Sequence, residues 1–409
     1  MRSAKSEVRS AKSKVRSAKS LDNQLLWDTL LEAADQFIVK RGESLKTVIA
    51  GYHWFTDWAR DTMISLPGLC LSTGRHDDAK KILAAFAQSI SEGMLPNRFQ
   101  DGGDVPEYNN VDGTLWFFVA VYKYWLQTKD NDFVLHEMLP KLQDIVDWHY
   151  KGTRYNIHVA EDGLLYAGET GQQLTWMDAR VGDWVVTPRM GKPVEIQALW
   201  YNALMILSEL YAQTGNGKAE FNIFAEKYKA MGQSVKTAFD ALFWYNTGGY
   251  YYDVIDEHNV PDPSVRPNTL FAICLPFPIA NGDKAQSTFQ KIKEELYTPV
   301  GLRSLSPKDD RYIGSYGGGQ YERDSAYHQG TVWSWLLGPY IDAVIQLDSQ
   351  NGRSEANTIL GNFAYHLHEA CIGSVSEIFE GNAPHTPQGC IAQAWSVAEL
   401  LRVIHDHQL

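Results

Sequence analysis

The sequence predicts an all-α domain in which six helical hairpins close into a double ring. Apolar residues recur at helical spacing in about twelve segments from residue 21 onward. Long segments rich in Gly, Pro, Asp and aromatic residues separate them at 93–111, 152–193, 298–324 and 372–389. Long loops at regular intervals are usually functional, so we expect them to gather at one end and form the rim of a cup. An irregular helical bundle is the alternative.

Each predicted helix is supported by its apolar spacing and, at several ends, by a start or stop signal. Leu26 and Leu30 fall on one stripe of the first helix. Asp77 supplies an acidic first turn to the third helix, and Gly74 and Gly93 are typical of helix ends. The predicted helices are 21–39, 59–73, 76–92, 112–128, 131–151, 194–214, 218–243, 264–275, 281–297, 325–348, 352–371 and 390–406, with short strands expected within 155–166 and 250–255.

The first 20 residues differ from the rest of the chain, because the string RSAKS recurs in them every seven residues. They carry seven basic residues and one acidic residue. About two and a half heptads with small apolar residues are too few for a stable coiled coil. We therefore predict a disordered basic tail for 1–20 and assign 21–409 to one helical domain.

The charge and the apolar content of the chain limit the classes of partner. The formal net charge is −12 although the tail is basic, so the remaining body is strongly acidic. Nucleic acid is excluded as the main ligand because phosphate binding needs a basic surface. No apolar run reaches the roughly 18 residues of a membrane span, no secretory signal is visible, and the four cysteines show no C-x-x-C spacing. A cytoplasmic protein with reduced thiols and no membrane partner is predicted.

The segment GYHWFTDWARD at 51–61 combines charged groups with large aromatic residues. Asp57, Arg60 and Asp61 can hydrogen-bond the hydroxyls of a sugar while neighbouring rings cover its C–H faces. The structural alternative is a helix start with acidic first-turn residues and core aromatics. The two interpretations are about equally supported by this segment alone.

Asp112 and Asp178 each lie in an aromatic loop segment, YNNVDGTLWF and TWMDA respectively. Asp112 has the simpler interpretation of a helix cap. Asp178 is flanked by Met and Trp, and an apolar wall raises the pKa of a carboxyl, which suits a general acid near neutral pH. The alternative for Asp178 is a loop carboxylate paired with Arg180 or Arg189.

Glu377 lies between hydrophobic residues immediately before a Gly- and Pro-rich loop, which favours a deliberately placed carboxylate. Other chemistries lack their motifs, since there is no G-x-S-x-G elbow, no H-E-x-x-H and no paired Cys/His spacing. Gly317-Gly318-Gly319 lacks the lysine of a phosphate loop. Carboxylates, aromatics and one arginine remain, which is the inventory of a glycoside hydrolase that needs neither metal nor cofactor.

Seven motifs in order resemble the C-terminal catalytic domain of glycogen debranching enzymes, the amylo-α-1,6-glucosidase part. The motifs are WFTDWARDTMISLPGL (54–69), GMLPNRF (93–99), YNNVDGTLWF (108–117), TWMDA (175–179), TPRMGKPVEIQALWYNAL (187–204), YHQGTVWSWLLG (327–338) and SEIFEG…PQGCIAQAWSVAE (376–399). The resemblance extends over about 22–409. It implies an (α/α)6 barrel, glycogen or another branched α-glucan as partner, and hydrolysis of α-1,6-linked glucose with inversion at the anomeric carbon.

The resemblance also implies a role for each candidate residue. Asp178 corresponds to the general acid and Glu377 to the general base, which needs room for a water between them. Arg60 and Asp61 correspond to the pair that holds the hydroxyls of the non-reducing glucose. Further contacts to the sugar are implied for Asp57, Asp112, Glu195, His328 and Gln329, with Trp176 and Trp395 as walls.

Two other functions stay open at this point. One is an exo-α-glucosidase for another linkage, similar to glucoamylase or trehalase, because linkage preference depends on loop shape. The other is a non-catalytic glycan-binding remnant, since the N-terminal β-rich domain usual in bacterial relatives has no counterpart in the sequence. The intact Asp178 and Glu377 argue against the second.

Overall fold

The protein is described from a computed structural model, over residues 24–99, 106–215 and 218–409. The predicted basic tail at 1–20 lies outside these described residues. Within them, none of the helices combines the length and the apolar character needed to cross a membrane. Cys70, Cys274, Cys371 and Cys390 are free thiols, of which Cys70 and Cys390 are buried.

Helices dominate the fold, as the periodicity predicts. The α-helices are α1 (24–35), α2 (Ala59–Leu66), α3 (His76–Gln88), α4 (Asp112–Thr128), α5 (Asn131–Phe133), α6 (Leu139–Lys151), α7 (Val194–Thr214), α8 (Ala219–Leu242), α9 (Phe271–Cys274), α10 (Gly282–Glu295), α11 (Gln320–Ala326), α12 (Leu337–Leu347), α13 (Gly352–Phe363) and α14 (Ala394–His407). Single π-helical turns continue α2 (Pro67–Leu71) and join α5 to α6 (Val134–Met138), and 3₁₀ turns lie at Arg154–Asn156, Pro267–Leu270, Ser334–Leu336 and Ala364–His368.

Two kinds of helix differ in how much of their surface is buried. On α8, the buried residues Ala225, Tyr228, Gly232, Val235 and Phe239 follow each other by three or four positions, so one stripe faces the core. On α7, α4 and α14 nearly every side is buried. A helix that is apolar all round must be covered on all sides, so these three lie in the interior and α8 lies outside them.

The contacts between helices follow the same division. α2 contacts α4, α4 contacts α7, α7 contacts α9, α9 contacts α12, α12 contacts α14, and α14 contacts α2 again. We call these six the central helices. α3 packs on α4, α6 and α8 pack on α7, and α13 packs on α12. Consecutive outer and central helices thus form hairpins.

Short antiparallel strands occupy the loops and add a feature that the all-α prediction does not contain. The strands are β1 (Ile38–Arg41), β2 (Leu45–Val48), β3 (Gly51–Tyr52), β4 (His158–Val159), β5 (Leu165–Tyr166), β6 (Arg180–Val181), β7 (Trp184–Val185), β8 (Gly191–Pro193), β9 (Trp244–Tyr245), β10 (Tyr250–Tyr251), β11 (Val254–Asp256), β12 (Pro261–Asp262), β13 (Tyr297–Thr298), β14 (Gly301–Arg303), β15 (Val332–Trp333), β16 (Ile378–Phe379), β17 (Pro387–Gln388) and β18 (Ala392–Gln393). The strands expected within 155–166 and 250–255 are confirmed as β4, β5, β10 and β11.

The largest sheet has the order β13-β14-β15-β16-β17. In its register Trp333 lies opposite Leu302 on one side and opposite Ile378 on the other. The prediction of one continuous helix over 325–348 was wrong for this reason. Gly330 adopts a φ of 148°, which ends the helical path, and Val332 is β-branched and pairs within the sheet. The helix resumes only at α12.

Candidate active site

Charged residues from the first turns of two central helices meet in the interior. Arg60 and Asp61 lie in the first turn of α2, and Asp112 is the first residue of α4. All three are at most 7% exposed. An acidic side chain in a first turn faces the positive end of the helix dipole, which favours carboxylates at this place. The fold thus brings Arg60, Asp61 and Asp112 together, and their contacts to a sugar stay a prediction.

Arg60 bridges two carboxylates. Its Nε donates to Asp112 Oδ2 at 2.7 Å and its Nη1 donates to Asp178 Oδ2 at 3.2 Å. Burial lowers the pKa of Arg60, but the charges of Asp112 and Asp178 outweigh burial and raise it. Asp112 also accepts a hydrogen bond from the backbone N–H of Gly113 through Oδ1 at 2.7 Å. Asp112 thus both starts α4 and fixes the orientation of Arg60.

The Asp178 side chain is 36% exposed, whereas those of Arg60 and Asp112 are 5% and 1% exposed. Burial raises the pKa of Asp178, but His328 and Arg60 outweigh burial and bring it below its usual value. The prediction that an apolar wall raises this pKa was wrong. The sequence around Asp178 does not show that the fold places His328 and Arg60 beside it. Arg60 is its partner rather than Arg180 or Arg189.

Glu377 lies directly before β16 and is 3% exposed. The Tyr327 hydroxyl donates to Glu377 Oε1, and the backbone N–H of Cys390 donates to Oε2 at 2.7 Å. Burial raises the pKa of Glu377 to about 7, although both hydrogen bonds favour the carboxylate, and the charge of Asp178 adds to the increase. The fold therefore brings Glu377 and Asp178 within electrostatic reach of each other.

Asp61 belongs to the same group of carboxylates. Burial raises its pKa to about 7, Arg60 opposes this, and the charges of Asp178 and Glu377 increase it. Its Oδ1 is 3.4 Å from Gln393 Nε2. Asp61 is thus close enough to both candidate catalytic carboxyls for their charges to raise its pKa.

His328 lies next to Asp178. Its Nε2 is 3.7 Å from Asp178 Oδ1, which is beyond normal hydrogen-bond length. Its ring stacks on Trp333 with centroids 5.0 Å apart, and Trp176 meets it edge-on at 5.2 Å. Burial lowers the pKa of His328 although Asp178 raises it, so a neutral imidazole is favoured. Within the described chain neither ring nitrogen of His328 has a hydrogen-bond partner.

Trp176 and Trp395 form part of an aromatic floor. Trp176 Nε1 donates to Asn268 Oδ1 at 2.7 Å, which fixes the ring. Trp395, in the first turn of α14, stacks on Trp335 with centroids 4.9 Å apart. Trp176 meets Trp335 edge-on at 5.5 Å. Both residues are 4% exposed, so they pack in the interior, and their role as walls of a sugar site stays a prediction.

Glu195 and Gln329 belong to a second buried network rather than to the Arg60 group. Arg189 donates to both Glu195 and Asp253. Arg266 donates to Gln329 Oε1 at 2.7 Å and to the backbone oxygen of His328 at 2.7 Å. The pKa of Glu195 is raised by burial and lowered by Arg189, with burial the stronger effect. The two hydrogen bonds from Arg266 hold the His328–Gln329 turn in place.

Asp57 is placed differently from the other residues of its segment. It accepts a hydrogen bond from Arg41 Nη1 at 2.5 Å, and the Arg41 guanidinium lies over the ring of Phe99. The backbone oxygen of Asp57 accepts from the N–H of Phe99. These contacts assign Asp57 a part in holding the loop, and a direct contact to a sugar stays a prediction.

The sequence prediction missed several residues that hold the candidate site. Tyr327 precedes the predicted His328 and Gln329 in the same aromatic motif, which was the available signal. Gly389 has a φ of 67°, and a Cβ there would lie 2.5 Å from Glu377 Oε2. Arg266 gave no signal, because its partners are distant in sequence. In the described ranges no group of three His, Cys, Asp or Glu residues is arranged as metal ligands.

This geometry is suited to proton transfer at a polar, uncharged ligand. One carboxylate is partly open to solvent and the other is buried with a pKa near neutrality. A group with a pKa near the working pH can exchange protons efficiently in either direction. Arg60, Asp61 and His328 supply hydrogen-bonding groups beside them, and no basic surface for a phosphate is formed by these residues.

Comparison with known proteins identifies related sequences. Residues 32–402 match the family model described as amylo-alpha-1,6-glucosidase. A glycogen debranching enzyme of Saccharomyces cerevisiae is 25% identical over an alignment of 468 residues, which covers 89% of this chain and 30% of the yeast protein. The chain thus spans less than a third of the length of this relative.

Solved structures resemble the fold at low sequence identity. A rhamnosidase from Klebsiella oxytoca with rhamnose bound has a TM-score of 0.59 and 14% identity, over 94% of this chain and 64% of that chain. A GH78 family rhamnosidase of Bacillus sp. GL1 has a TM-score of 0.59 and 12% identity, over 93% of this chain and 34% of that chain. At these identities the similarity concerns the fold alone.

Proposed function

Since this chain belongs to the amylo-alpha-1,6-glucosidase family, we propose that it hydrolyses α-1,6 branch points of glycogen or limit dextrin and releases glucose. The observation that carries the proposal is that Asp178 accepts a hydrogen bond from Arg60, at the start of α2, and that Asp178, Glu377 and Asp61 lie close enough for their charges to affect one another. The (α/α)6 barrel, a single domain over 21–409, a cytoplasmic location and a branched α-glucan partner belong to the same proposal. The closed circuit of six central helices supports the barrel.

Asp178 and Glu377 are the two catalytic carboxyls in this proposal. Asp178 protonates the glycosidic oxygen as the sugar leaves. Glu377 takes a proton from a water on the opposite face of the sugar, and attack by that water inverts the anomeric carbon. The two hydrogen bonds that Glu377 accepts from Tyr327 and Cys390 suit a base, because they stabilise the carboxylate that the base requires.

The two carboxyls have pKa values in the opposite order, since the pKa of Asp178 is lowered and that of Glu377 is raised. Binding of a sugar reverses the order in our proposal. A hydroxyl that takes over Arg60 Nη1 removes a cationic partner from Asp178. The bound glucose also covers the exposed part of Asp178, and both changes raise its pKa. The alternative, favoured by the lowered pKa of Asp178 and the raised pKa of Glu377, is Glu377 as acid and Asp178 as base.

Arg60 and Asp61 bind the hydroxyls of the terminal glucose. A buried guanidinium and a buried carboxyl recognise hydroxyls well, because an analogue without the hydroxyl leaves them unpaired. Asp112 keeps the Arg60 guanidinium in one orientation through Nε, which leaves Nη1 and Nη2 to face Asp178 and the sugar. His328 offers an unpaired ring nitrogen near the same place.

Glucose release from phosphorylase limit dextrin tests this function, with maltose and trehalose as substrates for the alternative linkages. We expect release from limit dextrin and its loss in Asp178→Asn and Glu377→Gln. Preferred release from maltose or trehalose would instead indicate an exo-α-glucosidase of another linkage. Binding of glycogen without hydrolysis of any substrate would support the non-catalytic alternative, and activity that survives both substitutions would reject the two carboxyls.

A further inference from the structure

Two large aromatic side chains, Trp184 and Tyr321, are exposed beside each other on the surface. Trp184 is 44% exposed and Tyr321 is 59% exposed. Their ring centroids are 5.8 Å apart and the ring planes differ by 32°. Exposed aromatic rings that contact each other form an apolar patch, and such patches commonly mark binding sites. We call these two residues the aromatic pair.

Each member of the aromatic pair is close in sequence to a residue of the candidate site. Trp184 begins β7, in the β6–β7 hairpin that starts two positions after Asp178. Tyr321 lies on α11, six positions before Tyr327, the hydrogen-bond donor to Glu377. Six residues reach at most about 20 Å. The aromatic pair therefore lies within reach of a short oligosaccharide from both candidate catalytic carboxyls.

Hydrogen bonds fix the two elements that carry the aromatic pair. Arg180 Nε donates to the backbone oxygen of Gly182 at 2.6 Å, and its Nη1 donates to that of Gly171 at 3.1 Å. Arg323 Nη1 donates to the backbone oxygen of Gly318 at 2.7 Å. α11 also packs on β6. The two rings are thus presented by braced elements, which limits the entropy lost when a ligand binds.

Polar groups adjoin the rings. Trp184 borders a cavity of about 450 Å³ whose lining also includes Arg311, Gln329 and Asp262. A pyranose has C–H faces that stack on aromatic rings and a hydroxyl edge that needs hydrogen-bonding partners. The Trp184 ring offers a stacking surface, and the charged and amide groups of the cavity offer hydrogen-bonding partners. A peptide or nucleotide would need backbone partners or a basic surface instead.

We propose that Trp184 and Tyr321 bind the part of the α-glucan that lies on the leaving-group side of the scissile bond. This inference rests on the proposed function. The terminal glucose occupies the buried side formed by Arg60 and Asp61, so the rest of the polymer must extend toward solvent past Asp178. The aromatic pair adjoins that path, because β6 begins two residues after Asp178 and α11, which carries Tyr321, packs on β6.

Kinetics of Trp184→Ala, Tyr321→Ala and the double variant on two substrates test the inference. α-Glucosyl fluoride occupies only the terminal glucose site, whereas limit dextrin also extends to the leaving-group side. We expect the KM for limit dextrin to rise about 5–10-fold per lost ring, with kcat and the kinetics on the fluoride unchanged. Trp184→Phe should restore most of the affinity. Tyr150→Ala, which removes an equally exposed ring from α6, should change neither substrate.

Several outcomes would overturn the inference. They are an unchanged KM for limit dextrin in the double variant, an equal loss on both substrates, or a dimer in sedimentation that the double variant loses without losing affinity for glucan. If the wild type hydrolyses no glucan, the proposed function fails, and retardation by glycogen in a native gel then decides the inference by itself. Retardation lost in the double variant supports the aromatic pair. Retardation that is absent in the wild type, or unchanged in the variant, rejects it.

Discussion

Arg60 lies against Asp178, with Nη1 donating a hydrogen bond of 3.2 Å to Asp178 Oδ2. The two residues are 118 positions apart in sequence. His328 and this contact hold the pKa of Asp178 below its usual value, and Arg60 does so because a nearby positive charge favours the carboxylate. In our proposal, a sugar hydroxyl that takes over this guanidinium nitrogen raises the pKa of Asp178.

The order of acid and base is tested by leaving-group dependence. Fluoride leaves without protonation, so Asp178→Asn should lose about 10²–10⁴-fold in kcat on limit dextrin and far less on α-glucosyl fluoride. Glu377→Gln should lose about 10²–10⁴-fold on both substrates, because water must be activated in either reaction. The reverse pattern would make Glu377 the acid. Formation of β-glucose, followed by NMR in the first minutes, checks inversion.

Tyr327→Phe should shift the pH dependence of hydrolysis. The Tyr327 hydroxyl lowers the pKa of Glu377 by stabilising its carboxylate, so its removal raises that pKa and moves the acid limb of the kcat profile to higher pH. Below neutral pH we expect about a 10–100-fold decrease in kcat, typical for a hydrogen bond to a charged group. Tyr316→Phe is the control, since Tyr316 packs on the Tyr327 ring with centroids 6.0 Å apart, whereas the hydrogen bond to Glu377 Oε1 comes from Tyr327. An unmoved acid limb would exclude Glu377 as the base.

Gly389→Ala should disturb Glu377 directly. A Cβ at this position would lie 2.5 Å from Glu377 Oε2 and 2.9 Å from Ile378 Cγ1, at a φ of 67°. We expect a loss of about 1–3 kcal/mol in the free energy of unfolding together with loss of glucose release. Gly42→Ala is the matched control, because Gly42 has a φ of 60° and no atom within 4 Å of the added Cβ. Urea unfolding and activity are measured for both variants. Both carry backbone strain, but only Gly389→Ala also makes the close contact with Glu377. Equal activities of the two variants would contradict the prediction.

The stability of the Asp61→Asn variant relative to the wild type should increase as the pH rises. The pKa of Asp61 is raised from 3.8 to about 7 in the fold, so the folded state holds this proton between those values and loses its advantage as pH rises through 7. An amide escapes the cost of the buried charge. Thermal unfolding should show a gain larger by on the order of 1–2 kcal/mol at about pH 8.5 than at about pH 5.5. The Asp61→Asn variant should also release less glucose than the wild type. A stability difference that does not vary with pH would reject the raised pKa of Asp61.

The helices were largely determined by the sequence. The segments predicted at 112–128, 131–151 and 194–214 agree with the observed α4, α5–α6 and α7. Apolar periodicity suffices there, because a helix satisfies its backbone hydrogen bonds locally and one stripe or one whole surface must be buried. The short strands β14, β15 and β16 were missed, since β15 pairs with β14 and β16, which are far from it in the chain.

The sequence by itself determined which residue types the candidate site contains, and the tertiary structure decided their partners and protonation. The WARD segment at 58–61 and the TWMD segment at 175–178 indicated a carboxylate site, but not that Arg60 joins Asp112 to Asp178. The sequence predicted a raised pKa for Asp178, whereas burial raises that of Glu377. A pKa depends on burial and on charges a few ångströms away, and only the folded chain brings those charges together.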